Sequence, residues 1–135
     1  MLLDTCIHPD IIKALAYCGH GSKILLADAN YPLAEKSGDC PKVYLGLRRG
    51  LPTVTQVLET LQTAVNIERA QVMVPEEGPE PEIFSQFRSL LKMELDGLGR
   101  QEFYHVCMAP GALALAVSTG EGRTFANILI TVGCA

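Results

Sequence analysis

The chain lacks the marks of several functional classes. Its net charge is −4, with no basic stretch beyond Arg48-Arg49, which argues against an electrostatic surface for nucleic acid. No apolar run approaches the roughly 20 residues of a membrane-spanning helix, and Met1-Leu2-Leu3-Asp4 lacks the charged and apolar regions of a signal peptide. A cytoplasmic protein without a membrane partner is expected. The five cysteines, Cys6, Cys18, Cys40, Cys107 and Cys134, are odd in number and widely spaced, and they contain no Cys-x-x-Cys pair. They make a poor disulfide framework and read as small apolar residues in a reducing compartment. Cys6-x-His8 has no second pair to complete a zinc site, so no metal is predicted. There is no Gly-x-x-x-x-Gly-Lys-Ser/Thr loop. Gly19-His20-Gly21 begins like a dinucleotide fingerprint, but it follows a predicted helix and precedes a predicted strand, the reverse of the required order. No nucleotide cofactor is expected.

What is present fits one globular α/β domain over residues 1–135, with 48% hydrophobic and 19% charged residues. Ile11, Ile12, Leu15 and Cys18 recur at helical spacing after Pro9, a residue suited to a first helical turn. Gly19 reads as the left-handed residue after that helix. Lys23 to Ala27 is a nearly continuous apolar run, as in a strand buried on both faces, and Lys42 to Leu47 reads as a second strand ended by Gly50-Leu51-Pro52. Thr53 and Gln56 have the form of a capping box ahead of the stripe Val54, Val57, Leu58, Leu61 and Val65. Gln71 to Pro75 reads as a third strand. Pro81 opens a second amphipathic helix carrying Phe84, Phe87, Leu91 and Leu95. The last third reads as strands over Glu102–Val106, Leu113–Ser118 and Ala126–Val132. Strands alternating with helices predict a three-layer Rossmann-like α/β fold with a largely parallel central sheet.

The chemistry centres on Gly19-His20-Gly21 and Asp28-Ala29-Asn30-Tyr31-Pro32, at the two ends of the first strand. Histidine exchanges protons near neutral pH, and ligands gather at the carboxyl ends of strands in open α/β sheets. Both residues also have quieter roles open to them. A histidine after a helix can interact with its dipole, and an aspartate after a strand can make an Asx turn. Glu76 and Glu77, after the third strand, read as a solvated acidic loop.

These motifs, in order with Gly50-Leu51-Pro52, Ser118-Thr119-Gly120-Glu121 and Phe125-Ala126-Asn127-Ile128-Leu129 ending in Gly133, resemble the ribose pyranase and fucose mutarotase family from about residue 8 to the C-terminus. The resemblance implies a ring of subunits, commonly a decamer, with sites between neighbours, and interconversion of monosaccharide anomers or ring forms without cofactor or metal. It implies His20 as the catalytic acid–base group, Asp28 as a sugar ligand that also influences the histidine, and Asn127 as a ligand of sugar hydroxyls. Arg100-Gln101-Glu102-Phe103-Tyr104 reproduces the Arg-x-x-Phe-Tyr stretch of fucose-type members and adds Arg100 to the sugar ligands. The ribose branch tends to carry a histidine there, for which His105 is the poorer counterpart. Where the family usually has Tyr-x-Asn, this chain has Phe125-Ala126-Asn127. Its ring can still pack on a sugar face, although the phenolic hydroxyl is missing. Anomer exchange on fucose or a related aldose is the expected function. A ribose-type pyranase and a sugar-binding protein without catalysis are the alternatives.

Overall fold

The computed structural model describes residues 1–135. The apolar run Lys23–Ala27 is β1, and the full order is α1 (Pro9–Tyr17), β1, β2 (Lys42–Tyr44), α2 (Val54–Gln62), β3 (Ile67–Met73), α3 (Ile83–Leu91), β4 (Asp96–Leu98), α4 (Arg100–Met108), β5 (Leu115–Ser118) and β6 (Ile128–Val132). The strands form one six-stranded sheet in the order β2-β5-β1-β6-β3-β4. β1 and β2 each pair parallel with β5, and β3 pairs parallel with β4, whereas β6 runs antiparallel between β1 and β3. The sheet is therefore mostly parallel with one reversed strand near its middle.

Side chains that alternate along β1 supply two cores. Ile24 and Leu26 join Val117, Ile128 and Ile130 under α1, α2 and α3, while Leu25 and Ala27 join Ala116 and Leu129 under Phe103 and Cys107 of α4. Apolar strands covered on both faces are what a largely parallel sheet requires, and the three predicted layers are present. The capping box at Thr53 forms as expected: its Oγ1 accepts the Gln56 N–H, and the Gln56 Oε1 accepts the Thr53 N–H.

Several expectations need correction. Glu102–Val106 is not a strand but the middle of α4. Its β-prone Phe103, Tyr104 and Val106 concealed a helical spacing in which Phe103 and Cys107, four residues apart, are both buried. The second helix stops at Leu91, where Lys92 turns left-handed, so Leu95 lies outside it and leads into β4, a strand with no sequence expectation. α2 ends at Gln62, short of Val65, β2 ends at Tyr44, short of Leu47, and β3 runs from Ile67 to Met73 rather than from Gln71 to Pro75. The left-handed glycine after α1 is Gly21, with φ 90°, rather than Gly19. Gly120 has a different constraint: a Cβ there would lie 2.4 Å from the Leu51 carbonyl oxygen. Only glycine lets the turn after β5 cross the Gly50-Leu51-Pro52 loop.

Candidate active site

At the C-terminal end of β1 and the start of β6, two side chains latch the strand ends together. The Asp28 backbone N–H donates to Asn127 Oδ1 at 2.8 Å, and Asp28 Oδ2 accepts the Ala126 N–H at 3.1 Å. Asp28 Oδ1 accepts the Asn30 N–H at 2.9 Å, so the Asx turn foreseen as its quieter role is also real. Both carboxylate oxygens are thus occupied by backbone donors. Burial pushes the Asp28 carboxyl above its ordinary range, and the N–H groups of Asn30 and Ala126 oppose that push.

The latch fixes Phe125 between them. Its φ is 58°, a left-handed conformation that costs a bulky residue on the order of 1–3 kcal/mol and that clusters at functional sites. Its ring lies under the Arg100 guanidinium, 5.6 Å from carbon to centroid. Arg100 and Tyr104, one turn apart on α4, face a cavity of about 200 Å³ that Asp28, Asn30, Phe125 and Asn127 also line. Tyr31 closes its floor, with its hydroxyl donating to the Lys36 carbonyl at 2.7 Å and its ring edge-on to Tyr104 at 5.5 Å. Arg100 makes no ion pair, and the Asn127 side-chain amide also faces the Asp28 carboxyl and favours its charged form. The cavity therefore offers a guanidinium, an amide and a phenol to hydroxyl-bearing ligands, with one aromatic wall. A larger groove of about 680 Å³ runs between the N-terminal segment, α1 and α2, lined by Ile7, Ile11, Leu45 and Leu51 together with His8 and Glu59, but none of the residues that the sequence singled out for sugar faces it.

The structure brings Asp28, Arg100, Phe125 and Asn127 together and leaves His20 apart. His20 lies in the turn before β1, at the opposite edge of the sheet. Lys23 to Ala27 alone spans about 13 Å at strand rise. Within one chain, Asp28 cannot influence the imidazole. His20 Nε2 instead lies 3.0 Å from each carboxylate oxygen of Glu68. Sequence reasoning passed over Glu68 and Tyr104. The spacing of Tyr104 four residues after Arg100 was available as a signal, masked by reading that segment as a strand. Nothing in the linear sequence joins His20 to a residue 48 positions later.

The class is a single-domain α/β protein with a six-stranded, mostly parallel sheet and a polar pocket at the carboxyl end of β1, where ligands gather in such folds. Comparison with known proteins narrows it. The chain belongs to the RbsD / FucU transport protein family, whose model matches residues 1–135. Among relatives, it is 34% identical to the fucose mutarotase of Mus musculus, over 94% of this chain and 89% of that protein. It is 27% identical to the D-ribose pyranase of Paracidovorax citrulli, over 94% and 93% respectively. Among solved structures, Bacillus subtilis RbsD complexed with D-ribose superposes with a TM-score of 0.85 at 24% identity, covering 100% of this chain and 99% of that one. The fucose mutarotase of Streptococcus pneumoniae in complex with L-fucose gives 0.79 at 26% identity, over 96% and 94%. The family is thus one of sugar mutarotases and pyranases, which are isomerases.

Proposed function

We propose that this protein is a mutarotase that exchanges the anomers of fucose or a closely related aldose. The observation that carries the reading is the cavity that gathers Asp28, Arg100, Tyr104, Phe125 and Asn127, with the Arg100 guanidinium free of any ion pair. Sugar recognition needs several fixed donors and acceptors beside an apolar ring face, and this set supplies them. The fucose branch is favoured over the ribose branch by the 34% identity to the mouse fucose mutarotase against 27% to the pyranase. Arg100 and Tyr104 on one face of α4 favour it as well.

Anomer exchange moves the proton of the anomeric hydroxyl to a base as the bond from C1 to the ring oxygen breaks, and the ring oxygen takes up a proton. Rotation about one bond and reclosure give the other anomer. An imidazole suits such transfers at neutral pH, each worth about 10²–10⁴-fold in rate. His20 is the acid–base group in this reading. Because His20 and the cavity occupy opposite edges of one sheet, each site joins the cavity of one copy to His20 of a neighbour. That arrangement agrees with the ring, commonly of ten subunits, that the family resemblance implies.

Exchange NMR on a panel of monosaccharides tests the activity. The protein accelerates exchange between the anomeric resonances of fucose, and His20→Ala, folded and of unchanged assembly, abolishes the acceleration. Faster ring-form exchange of ribose than anomer exchange of fucose would move the protein to the pyranase branch. Saturable binding without exchange would make it a sugar-binding protein, the alternative that Phe125 in place of the family's tyrosine keeps open.

A further inference from the structure

His20 and Glu68 meet through a locally specialised backbone. β3 pairs with β6 through Ile67↔Val132 and then Arg69↔Thr131, which leaves Glu68 as the extra residue of a bulge. Bulges re-aim side chains, and this one turns Glu68 toward the loop that carries His20. That loop is fastened to the same end of β6: the Gly21 N–H donates to the Val132 carbonyl, and the Val132 N–H to the Ser22 carbonyl, each at 2.8 Å. Just beyond, the Gly133 N–H donates to the Asn66 carbonyl at 2.8 Å, and Asn66 Nδ2 donates back to the Cys134 carbonyl at 2.6 Å. A Cβ at Gly133 would lie 3.0 Å from Glu68 Cβ and 3.2 Å from its Oε2. The missing side chain is what lets the carboxylate lie across the strand end.

An ion pair this open to solvent, with side-chain exposures of 59% and 43%, adds little stability. Its geometry nevertheless fixes a chemical fact about the histidine. A carboxylate only accepts hydrogen bonds, so the Nε2 facing both Glu68 oxygens carries the proton in the neutral ring. Nδ1 then holds the lone pair, and it has no partner in the chain.

We infer that Glu68 is the positioning residue of His20: it holds the ring and its tautomer so that Nδ1 is the nitrogen that exchanges protons with the sugar. The inference rests on the reading of His20 as the acid–base group. In ring opening Nδ1 takes the anomeric hydroxyl proton as the bond from C1 to the ring oxygen breaks, and the ring oxygen takes a proton from a water whose hydroxide recovers the proton held on Nδ1; after rotation about the C1–C2 bond, reclosure reverses both transfers. Glu68 touches no reacting atom.

The test pairs histidine-selective ¹⁵N NMR with exchange kinetics on Glu68→Ala, Glu68→Gln, Gly133→Ala and His20→Ala, each checked for native mass and circular dichroism. At about pH 9, where free imidazole is neutral, the wild-type ring ¹⁵N shifts report one fixed tautomer with the proton on Nε2, Glu68→Ala moves them toward the average of the two tautomers, and His20→Ala removes the signals. Glu68→Ala lowers kcat for anomer exchange by about tenfold or more and leaves KM within about twofold. Glu68→Gln, whose Oε1 still accepts from Nε2, keeps ring shifts close to the wild type and loses less of kcat, and Gly133→Ala falls between it and the wild type. A rise in KM at unchanged kcat would make Glu68 a sugar ligand and overturn the inference. So would an unaltered kcat in Glu68→Ala beside an inactive His20→Ala, whereas a fully active His20→Ala would overturn the catalytic reading itself.

Discussion

At the scale of single residues, Phe125 carries most of what distinguishes this site. Its backbone is left-handed, with φ 58°, and is held there by the bond from the Ala126 N–H to Asp28. Its ring lies beside the Arg100 guanidinium and lines the cavity with it. The wall it forms is half-buried and open to the cavity, so a para hydroxyl has polar space to enter. Phe125→Tyr should therefore retain sugar binding and raise the exchange rate through one added hydrogen bond, worth about 0.5–1.5 kcal/mol, or up to roughly tenfold. Sugar titration beside exchange NMR checks this. A variant that binds neither fucose nor ribose while the wild type binds one would show that the hydroxyl was forced into an unpaired position.

At the scale of elements, the segment from Thr119 to Asn127 delivers Phe125 and Asn127 to the site, and Glu121 anchors it. Glu121 is 2% exposed. Its Oε2 accepts the Val54 N–H in the first turn of α2 at 3.1 Å, and its Oε1 accepts Arg123 Nε at 2.8 Å. Burial pushes its carboxyl upward, but the hydrogen bonds from the Arg123 side chain and from the backbone of Arg123 and Val54 outweigh it and hold the group below its ordinary value. The sign follows from linkage. A depressed carboxyl contributes stability above the unfolded pKa of about 4.3, and that stability is lost as pH falls through the folded value. Glu121→Gln should thus destabilise the protein near neutral pH by on the order of 1–3 kcal/mol and flatten the fall in stability below about pH 4. Urea unfolding from about pH 3 to 7 reads both effects, and parallel curves for variant and wild type would contradict this role.

The sheet strands were legible where their composition allowed one reading. Residues 24–27 are apolar throughout, follow Gly21 closely and stop before Asp28, and they are buried on both faces as expected. Thr53 and Gln56 announced α2 because the capping box is a local device. α4 was not legible, since Phe103-Tyr104-His105-Val106 is β-prone in isolation and becomes a helix by packing Phe103 and Cys107 under the sheet. The same misreading hid Tyr104, whose place in the cavity depends on helical spacing from Arg100. The resemblance pointed to Asp28, Arg100, Phe125 and Asn127, and the fold gathers all four around one cavity. The partner of His20 was invisible because it depends on a bulge and on strand pairing between distant segments.

At the scale of the whole molecule, the decisive fact is that β1 separates His20 from the cavity; in the proposed reading a complete site therefore joins two copies. Several large apolar side chains stand exposed on one copy, among them Leu2, Leu3, Ile7, Tyr44 and Leu47, and association would cover such surface. The arrangement makes two different defects complementary. His20→Ala keeps an intact cavity, and Asn127→Ala keeps an intact His20; each assembly alone is expected to be inactive in exchange NMR on fucose. Co-assembled in equal amounts, with light scattering confirming the native mass, they should recover about a quarter of wild-type activity, because about one interface in four then pairs an intact cavity with an intact histidine. A mixed assembly as inactive as its parents would contradict a site shared between neighbouring copies.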